Sequence, residues 1–216
     1  MFIRPLLAAV LTVLLSLAGC DARAADKEEI SAIYDQLDQC NNNKDGTGVL
    51  TVFTKASFPR YEPLIKIALD GTPEQVRALP PTDRTEVLRM RLRATRAELA
   101  GLNGMEYTRF ATGRGWYVSP DGGQVQSTLT RFRFNKTATE ATAELVSDGE
   151  RSGMRFRFIK EDDYWKYDEP FAIELYDRDL RRAARDEGVS EEQFILDLLE
   201  EEIGKEVPAT VWEPMP

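Results

Sequence analysis

The chain has 216 residues, and its 37 aspartates and glutamates outnumber 28 lysines and arginines, which gives a net charge of −9. This acidic balance argues against general binding to nucleic-acid backbones, because such binding needs a basic surface. The chain contains no histidine, the side chain that most often ligates metals and acts as a general base near neutral pH. Composition therefore weighs against an enzyme and predicts no metal and no cofactor.

Residues 1–19 have the pattern of a bacterial signal peptide. Arg4 supplies a short positive region, and the apolar run from Leu6 to Leu15 is too short for a comfortable transmembrane span. The residues that follow are Leu17, Ala18, Gly19 and Cys20. This order resembles the lipobox of bacterial lipoproteins. The resemblance implies cleavage before Cys20 and lipidation of that cysteine with a diacylglycerol and an N-acyl chain such as palmitate.

A lipobox implies a protein anchored to the bacterial cell membrane and facing the periplasm. The diacylglycerol and the N-acyl chain together meet the requirement for stable anchoring. Asp21 directly follows the lipidated cysteine, a position at which aspartate favours retention of enteric lipoproteins in the inner membrane. The inner membrane is therefore favoured over the outer membrane. The alternative interpretations are an ordinary signal peptide and a buried helix.

A short tether over residues 20–25 is expected before the first helix. Asp26 and Glu29 have the spacing of a capping box, so a helix is predicted from Asp26 to about Asn41. Its apolar stripe comprises Ile30, Ile33, Tyr34, Leu37 and Cys40. With Cys20 lipidated, Cys40 has no partner for a disulfide within the chain, and its place in the stripe predicts a buried, inert thiol.

Further helices are predicted as far as Gly104. Residues 49–69 form two pieces broken at Pro59, and a turn of helix begins at Pro73. Thr82 is expected to cap a longer helix that ends at Gly101 or Gly104. This helix carries Arg84, Arg89, Arg91, Arg93 and Arg96. A solvated face is the preferred interpretation of these arginines, and an anion-binding face is the alternative.

Alternating apolar and polar residues predict antiparallel strands in the second half of the chain. Two strands are expected at Met105–Phe110 and Arg114–Val118, before a turn at residues 120–123. Four more are expected between Thr128 and Asp168, because a period of two marks a sheet with one buried face. The side chains predicted to point inward are Phe132, Phe134, Ala141, Ala143, Phe156, Phe158, Trp165 and Tyr167.

The register of the sheet follows from the rule that residues directly opposite each other share a face. The predicted pairs are Phe132 with Ala141, Ala141 with Phe158, and Phe158 with Trp165, with a two-residue hairpin at residues 161–162. The polar face would then pair Arg133 with Glu140, Glu144 with Arg155, and Arg155 with Asp168. Charged outer rows of this kind favour a monomer over a dimer formed through the sheet.

Helices followed by an antiparallel sheet predict an α+β fold. Over residues 26–170, the element order and the closing phrase from Phe158 to Asp168 resemble the NTF2-like (SnoaL-like) superfamily. The resemblance implies N-terminal helices packed into the concave face of a curved sheet, which together form a cone. Residues 171–216 add a C-terminal helix and an extended tail. We expect this extension to pack back on the domain, and an exposed tail that binds a partner is the alternative.

The interior of the cone is the expected ligand site. The candidate lining residues are Tyr34, Asp38, Tyr107, Phe132, Phe156, Trp165 and Tyr167. Most of the inward positions are apolar and no paired carboxylate faces them, and no nucleophile elbow, phosphate loop or metal spacing occurs in the chain. The leading hypothesis is therefore a non-catalytic binding domain for an envelope protein or a small apolar ligand.

Three alternative functions fit the same features. The first is a periplasmic immunity or inhibitor protein, which suits an acidic, membrane-tethered domain. The second is a cone-pocket enzyme of isomerase or hydratase type, and the third is a scaffold or assembly factor. A deep pocket that contains an acid with a strongly raised pKa would favour the enzyme. A cone filled by its own aromatic side chains would count against it.

Overall fold

The computed structural model describes the backbone of residues 4–118 and 127–216 and the side chains of residues 23–118 and 127–216. Within those residues, nine helices and a four-stranded antiparallel sheet confirm the predicted α+β class. The side chains of the lipobox, residues 17–20, and the turn predicted at residues 120–123 lie outside the described part of the chain. Among the described residues, no helix has both the length and the apolarity that a membrane span requires.

The elements follow one another with short connections. The helices are α1 (Arg4–Asn42), α2 (Val49–Val52), α3 (Tyr61–Asp70), α4 (Pro73–Arg77), α5 (Pro81–Arg93), α6 (Arg96–Leu99), α7 (Gly104–Gly113), α8 (Glu169–Glu187) and α9 (Glu191–Ile203). The strands are β1 (Ser127–Phe134), β2 (Glu140–Ser147), β3 (Glu150–Glu161) and β4 (Tyr164–Tyr167). Two short 3₁₀ helices occupy Lys55–Ser57 and Ala209–Trp212.

The sheet is a meander in the order β1-β2-β3-β4 with one buried face. Helix α1 covers this face with the stripe that its sequence predicts, and Cys40 at the end of the stripe is buried as expected. The main buried side chains of the sheet are Leu129, Ala141, Ala143, Leu145, Phe156, Phe158, Trp165 and Tyr167. The sheet and α1 therefore share one hydrophobic core.

The predicted start of α1 at Asp26 is wrong, because the helix already includes residues 4–25, the expected tether among them. Asp26 does not cap the helix. Its Oδ1 atom instead accepts hydrogen bonds from Lys160 Nζ and Trp165 Nε1, both at 2.8 Å. The acid that resembles a local cap thus attaches α1 to the sheet.

The predicted register is correct at the centre of the sheet and wrong at its last hairpin. Ala141 lies opposite Phe158, as expected, but Phe158 lies opposite Tyr167 rather than Trp165. The two-residue turn falls on Asp162 and Asp163, with φ angles of 52° and 67°, the positive values that type I′ hairpin turns require. Moving such a turn by one residue moves each cross-strand partner by two.

The polar face follows the same shift. Glu144 lies opposite Arg155, as predicted. Asp168 pairs with Arg157 instead of Arg155: its backbone N–H donates to the Arg157 carbonyl at 2.9 Å, and its carboxylate accepts from the Arg157 guanidinium. The ion pair that the alternation predicts between Asp168 and Arg155 therefore forms between Asp168 and Arg157.

Strand β1 contains a bulge between Thr130 and Arg133 that the alternation does not reveal. The bulge makes Phe134, not Phe132, the partner of Ala141, and it removes the expected pair of Arg133 with Glu140. An extra residue in one strand reverses the faces on its two sides. Leu129 is consequently buried before the bulge, where the predicted pattern placed Leu129 on the polar face.

The two strands predicted between residues 105 and 118 are wrong, because Gly104–Gly113 is helical and residues 114–117 form turns. Asn103 caps this helix: its Oδ1 accepts from Glu106 N at 3.0 Å, and Glu106 Oε2 accepts from Asn103 N at 2.9 Å. The buried positions are Tyr107, Thr108, Ala111 and Thr112, which recur at helical spacing. The predicted sheet of five or six strands has four strands in the described residues.

The long helix predicted from a cap at Thr82 to Gly101 or Gly104 is also wrong, because the helix begins at Pro81, with Thr82 inside it, and is broken after Arg93. Thr95 is the N-cap of α6 and forms a capping box with Glu98. A threonine three residues before a glutamate satisfies free backbone N–H groups. That local preference ends one helix and begins the next.

The remaining helices form a second core, which includes the C-terminal tail. The buried residues of the tail are Val211, Trp212 and Met215, and they pack with α3, α5, α6, α7 and α9. The expectation that the extension packs back on the domain is therefore confirmed for α9 and the tail. Helix α8 lies between the two cores, where it contacts β3 on one side and α5 and α9 on the other.

Candidate ligand-binding site along helix α8

The residues predicted to line a cone pocket pack against one another instead. The Tyr34 and Phe156 ring centroids lie 5.3 Å apart, and those of Phe156 and Tyr167 lie 5.7 Å apart. Trp165 is completely buried, and Phe132 packs on the edge of the same core. Cavities lie at four places among the described residues, and none of these four is lined by these side chains.

Two of the predicted lining residues lie elsewhere. Tyr107 belongs to the helical core, where its ring centroid is 4.9 Å from that of Tyr61. Asp38 is exposed on α1, and its Oδ2 accepts a hydrogen bond from Asn42 Nδ2 at 3.1 Å. The structure therefore groups five of the seven predicted residues in the sheet core and separates the other two from it.

A mostly apolar cavity of about 410 Å³ lies between α5, α8 and α9. We call it the apolar cavity. Its apolar lining consists of Tyr176, Leu180, Ala183, Phe194 and Leu198. Leu198 is 36% exposed, so the cavity opens at the surface. A volume of this order is within the range that small-molecule sites occupy.

Four polar residues complete the apolar cavity: Thr82, Thr85, Arg89 and Asp179. Thr85 Oγ1 donates to the Pro81 carbonyl at 2.8 Å. Thr82 Oγ1 is buried and has no hydrogen-bond partner within the described residues. A buried hydroxyl without a partner costs stability.

A second cavity of about 360 Å³ lies between β3 and the neighbouring face of α8. Arg155 of β3 and Arg178 and Arg182 of α8 line it, and we call it the arginine groove. Arg182 pairs with Asp179 at 3.3 Å. Arg155 and Arg178 make no ion pair or side-chain hydrogen bond with other described residues. The groove is therefore locally positive in an acidic protein.

The two cavities share the side chains of Tyr176 and Asp179. These positions are three residues apart, so they lie on the same side of the helix. The cavities consequently lie on adjacent sides of α8 and meet at this pair. Sequence reasoning did not identify this site, because its residues come from four separate elements.

A buried carboxylate anchors Arg89 at the apolar cavity. Glu86 Oε1 accepts hydrogen bonds from the hydroxyl groups of Tyr107 and Tyr117, the latter at 2.7 Å, and Oε2 accepts from Arg89. Arg89 also donates to Glu202 of α9 at 2.9 Å. Burial raises the pKa of Glu86, but Arg89 and the tyrosine hydroxyls lower it more, so the net shift is downward.

The five arginines near α5 bind other parts of the chain, so the solvated face predicted for them is wrong. Arg84 donates to the Leu79 carbonyl, and Arg93 donates to Glu202. Arg96 pairs with Asp70 at 3.0 Å. Together with Arg89 and Arg91, they connect α5 and α6 to α3, α9 and the tail. Only the packed structure brings these acceptors within reach.

Within the described residues, no group of three or more acidic or cysteine side chains is placed to hold a metal ion. The Cys40 thiol is free and buried, and burial raises its pKa with a further contribution from Asp45. A neutral, buried thiol reacts slowly.

No family model, curated protein or solved structure matches this chain.

Proposed function

We propose that this is a lipid-anchored envelope protein whose periplasmic part binds a small apolar or amphiphilic ligand without catalysis. The apolar cavity is the observation that carries this proposal. It combines an apolar lining with four polar residues, which are Thr82, Thr85, Arg89 and Asp179. That combination is typical of small-molecule sites, in which apolar area supplies affinity and few polar groups supply orientation.

The packing of the sheet face counts against a cone-pocket enzyme, and it also leaves no ligand site at the expected cone. Tyr34, Phe156 and Tyr167 fill that face. Glu169 has a raised pKa, as a catalytic acid would, yet it lines neither the apolar cavity nor the arginine groove. We also propose the NTF2-like arrangement, which is supported by the position of α1 across the buried face of the meander.

Membrane attachment through Cys20 is the part of the proposal that rests on the lipobox. Growth with an alkyne-labelled palmitate should label the wild-type protein, and Cys20→Ala should abolish the labelling and release the protein from the membrane fraction. Cys40→Ala is the matched control, because it removes the only other cysteine and should leave labelling intact. Equal labelling of wild type and Cys20→Ala would contradict the anchor.

Ligand binding can be tested on the full chain in its own membranes. Photo-crosslinking with an apolar diazirine probe, followed by peptide mass spectrometry, should label residues of α8 and α9 that line the apolar cavity. Ala183→Trp should fill the cavity and remove this labelling. Labelling that is unchanged in Ala183→Trp, or that is spread over the exposed surface, would contradict the proposal.

A further inference from the structure

We propose that the apolar cavity and the arginine groove together bind one single-chain anionic amphiphile, with its chain in the apolar cavity and its headgroup in the groove. This inference rests on the proposed function, because it names the ligand class of the same site. The two cavities meet at Tyr176 and Asp179. A ligand that passes this pair reaches both an apolar and a cationic environment.

The charge of the groove determines the headgroup. The whole chain carries a net charge of −9, but the groove places Arg155, Arg178 and Arg182 around the single acid Asp179. Asp179 already pairs with Arg182, so two guanidinium groups remain without a partner in the described residues. Guanidinium groups bind carboxylates and phosphates with paired hydrogen bonds. An anionic headgroup is therefore the complementary occupant.

The position of the arginines gives the groove its specificity. Arg155 belongs to β3 and Arg178 to α8, so the packing of α8 on the sheet brings them to the same cavity. The neighbouring Ser152 hydroxyl is not available to a ligand as a donor, because it donates to the Leu145 carbonyl at 3.1 Å. Recognition of the headgroup consequently depends on the two arginines.

The lining of the apolar cavity determines the rest of the ligand. An apolar ligand chain would bind here by burying the apolar surface of Leu180, Ala183, Phe194 and Leu198. Burial of apolar surface is the main source of affinity in such sites. Arg89 adds no free charge there, because Glu86 and Glu202 neutralise it. Burial raises the pKa of Tyr176 to about 12, so the residue between the two cavities is uncharged. A free inorganic anion would leave this apolar cavity empty.

The test uses two photoreactive probes of equal chain length, a diazirine analogue of decanoate and the corresponding analogue of decanol. Both are crosslinked to the full chain in its own membranes, and the labelled peptides are identified by mass spectrometry. The test variant is Arg155→Gln/Arg178→Gln. The matched control is Arg185→Gln, which removes an exposed arginine of α8 that lines neither cavity.

We expect the acid probe to label peptides of α8 and α9 that line the apolar cavity. Labelling by the acid should fall at least about tenfold in the double variant, as loss of charged hydrogen bonds predicts. Labelling by the alcohol should be weaker than labelling by the acid in the wild type and unchanged in the double variant. Arg185→Gln should behave as wild type with both probes.

Three results would overturn the inference in distinguishable ways. Equal cavity labelling by acid and alcohol, insensitive to the arginines, would overturn the anionic headgroup and leave the proposed function intact. Absence of cavity labelling by either probe would overturn both. In the third result, inorganic phosphate displaces the acid probe as effectively as unlabelled decanoate does. That result would show a simple anion site and overturn the proposal of an amphiphilic ligand.

Discussion

Tyr61 donates its hydroxyl to Oε1 of Glu169 at 2.5 Å, and this bond joins α3 to the first turn of α8. The other carboxylate oxygen of Glu169 is buried and has no partner among the described residues. The pKa of Glu169 is raised to about 7, chiefly by burial and further by Glu86 and Asp168, against the opposing effects of Arg60 and the Tyr61 hydrogen bond. No sequence motif marks this glutamate.

Glu169 should make the stability of the protein depend on pH. Its folded pKa of about 7 exceeds the ordinary value of 4.5, so the folded state binds the extra proton between these values. The resulting stabilisation is complete below 4.5 and is lost as the pH rises through about 7. Glu169→Gln removes this loss, so the variant should exceed the wild type by about 2 to 4 kcal/mol near pH 8 and differ least near pH 5.

Urea unfolding of both proteins across this pH range measures the difference. Glu174→Gln is the control, because Glu174 is exposed on the same helix. Its free energy of unfolding should follow that of the wild type at every pH. A difference between Glu169→Gln and the wild type that did not change with pH would contradict the raised pKa.

Removal of the Glu86 carboxylate should destabilise the helical core. Glu86→Ala leaves the hydroxyl groups of Tyr107 and Tyr117 without their acceptor and removes one partner of Arg89. Breaking a buried ion pair by removing one partner costs about 3 to 5 kcal/mol. Because Arg89 retains its ion pair with Glu202, we expect the free energy of unfolding in urea to fall by about 3 kcal/mol. A loss below about 1 kcal/mol would show that the cluster is not buried as described.

Asp26 should hold α1 on the sheet. Asp26→Ala removes the acceptor of the Trp165 indole N–H, and Trp165 is completely buried. An unsatisfied buried donor costs about 1 to 3 kcal/mol. We expect a loss of that size in the free energy of unfolding and faster hydrogen exchange of the Trp165 indole by NMR. Asp35→Ala, at an exposed position of α1, should change neither quantity.

Arg91 should be required for the attachment of the C-terminal tail. It donates to the Ile67 and Ala68 carbonyls near the end of α3, each at 2.9 Å, and to the Trp212 carbonyl of the tail at 2.5 Å. We expect Arg91→Ala to lower the free energy of unfolding by about 3 kcal/mol, because several partly buried carbonyls lose a donor.

The same loss should expose the tail to protease. Limited proteolysis of Arg91→Ala should cleave near Trp212 sooner than in the wild type. Arg91→Lys should restore little, because an ammonium lacks the planar fork that reaches several acceptors at once. Arg109→Ala removes an exposed arginine and should leave both readouts unchanged. Full recovery by lysine would mean that charge alone holds the tail.

The sheet shows how far alternation alone predicts structure. It identifies all four strands and the pair of Ala141 with Phe158, because a buried face leaves a period of two in each strand. It does not locate the turn at Asp162 and Asp163, since three acids in succession offer several two-residue turns without a glycine. It also misses the bulge at Arg131, whose φ of 50° depends on the pairing of β1 with β2.

The strand prediction over residues 105–110 failed for a different reason. Met105 and Tyr107 alternate with polar residues in a way that fits a strand, but the cap at Asn103 and the buried pairs at helical spacing fit the observed helix. Short segments satisfy both periods, and the environment chooses between them. Here the helical core buries Tyr107 and Ala111 together.

The sequence alone predicted the α+β class, the buried stripe of α1 and a lipid anchor, because each prediction depends only on local residue spacing or on a short motif. The tertiary structure alone decided the candidate site. Arg155 and Arg178 belong to different elements, and Thr82 and Phe194 are separated by most of the second half of the chain. Cavities, buried charges and shifted pKa values depend on such distant neighbours, which no local period encodes.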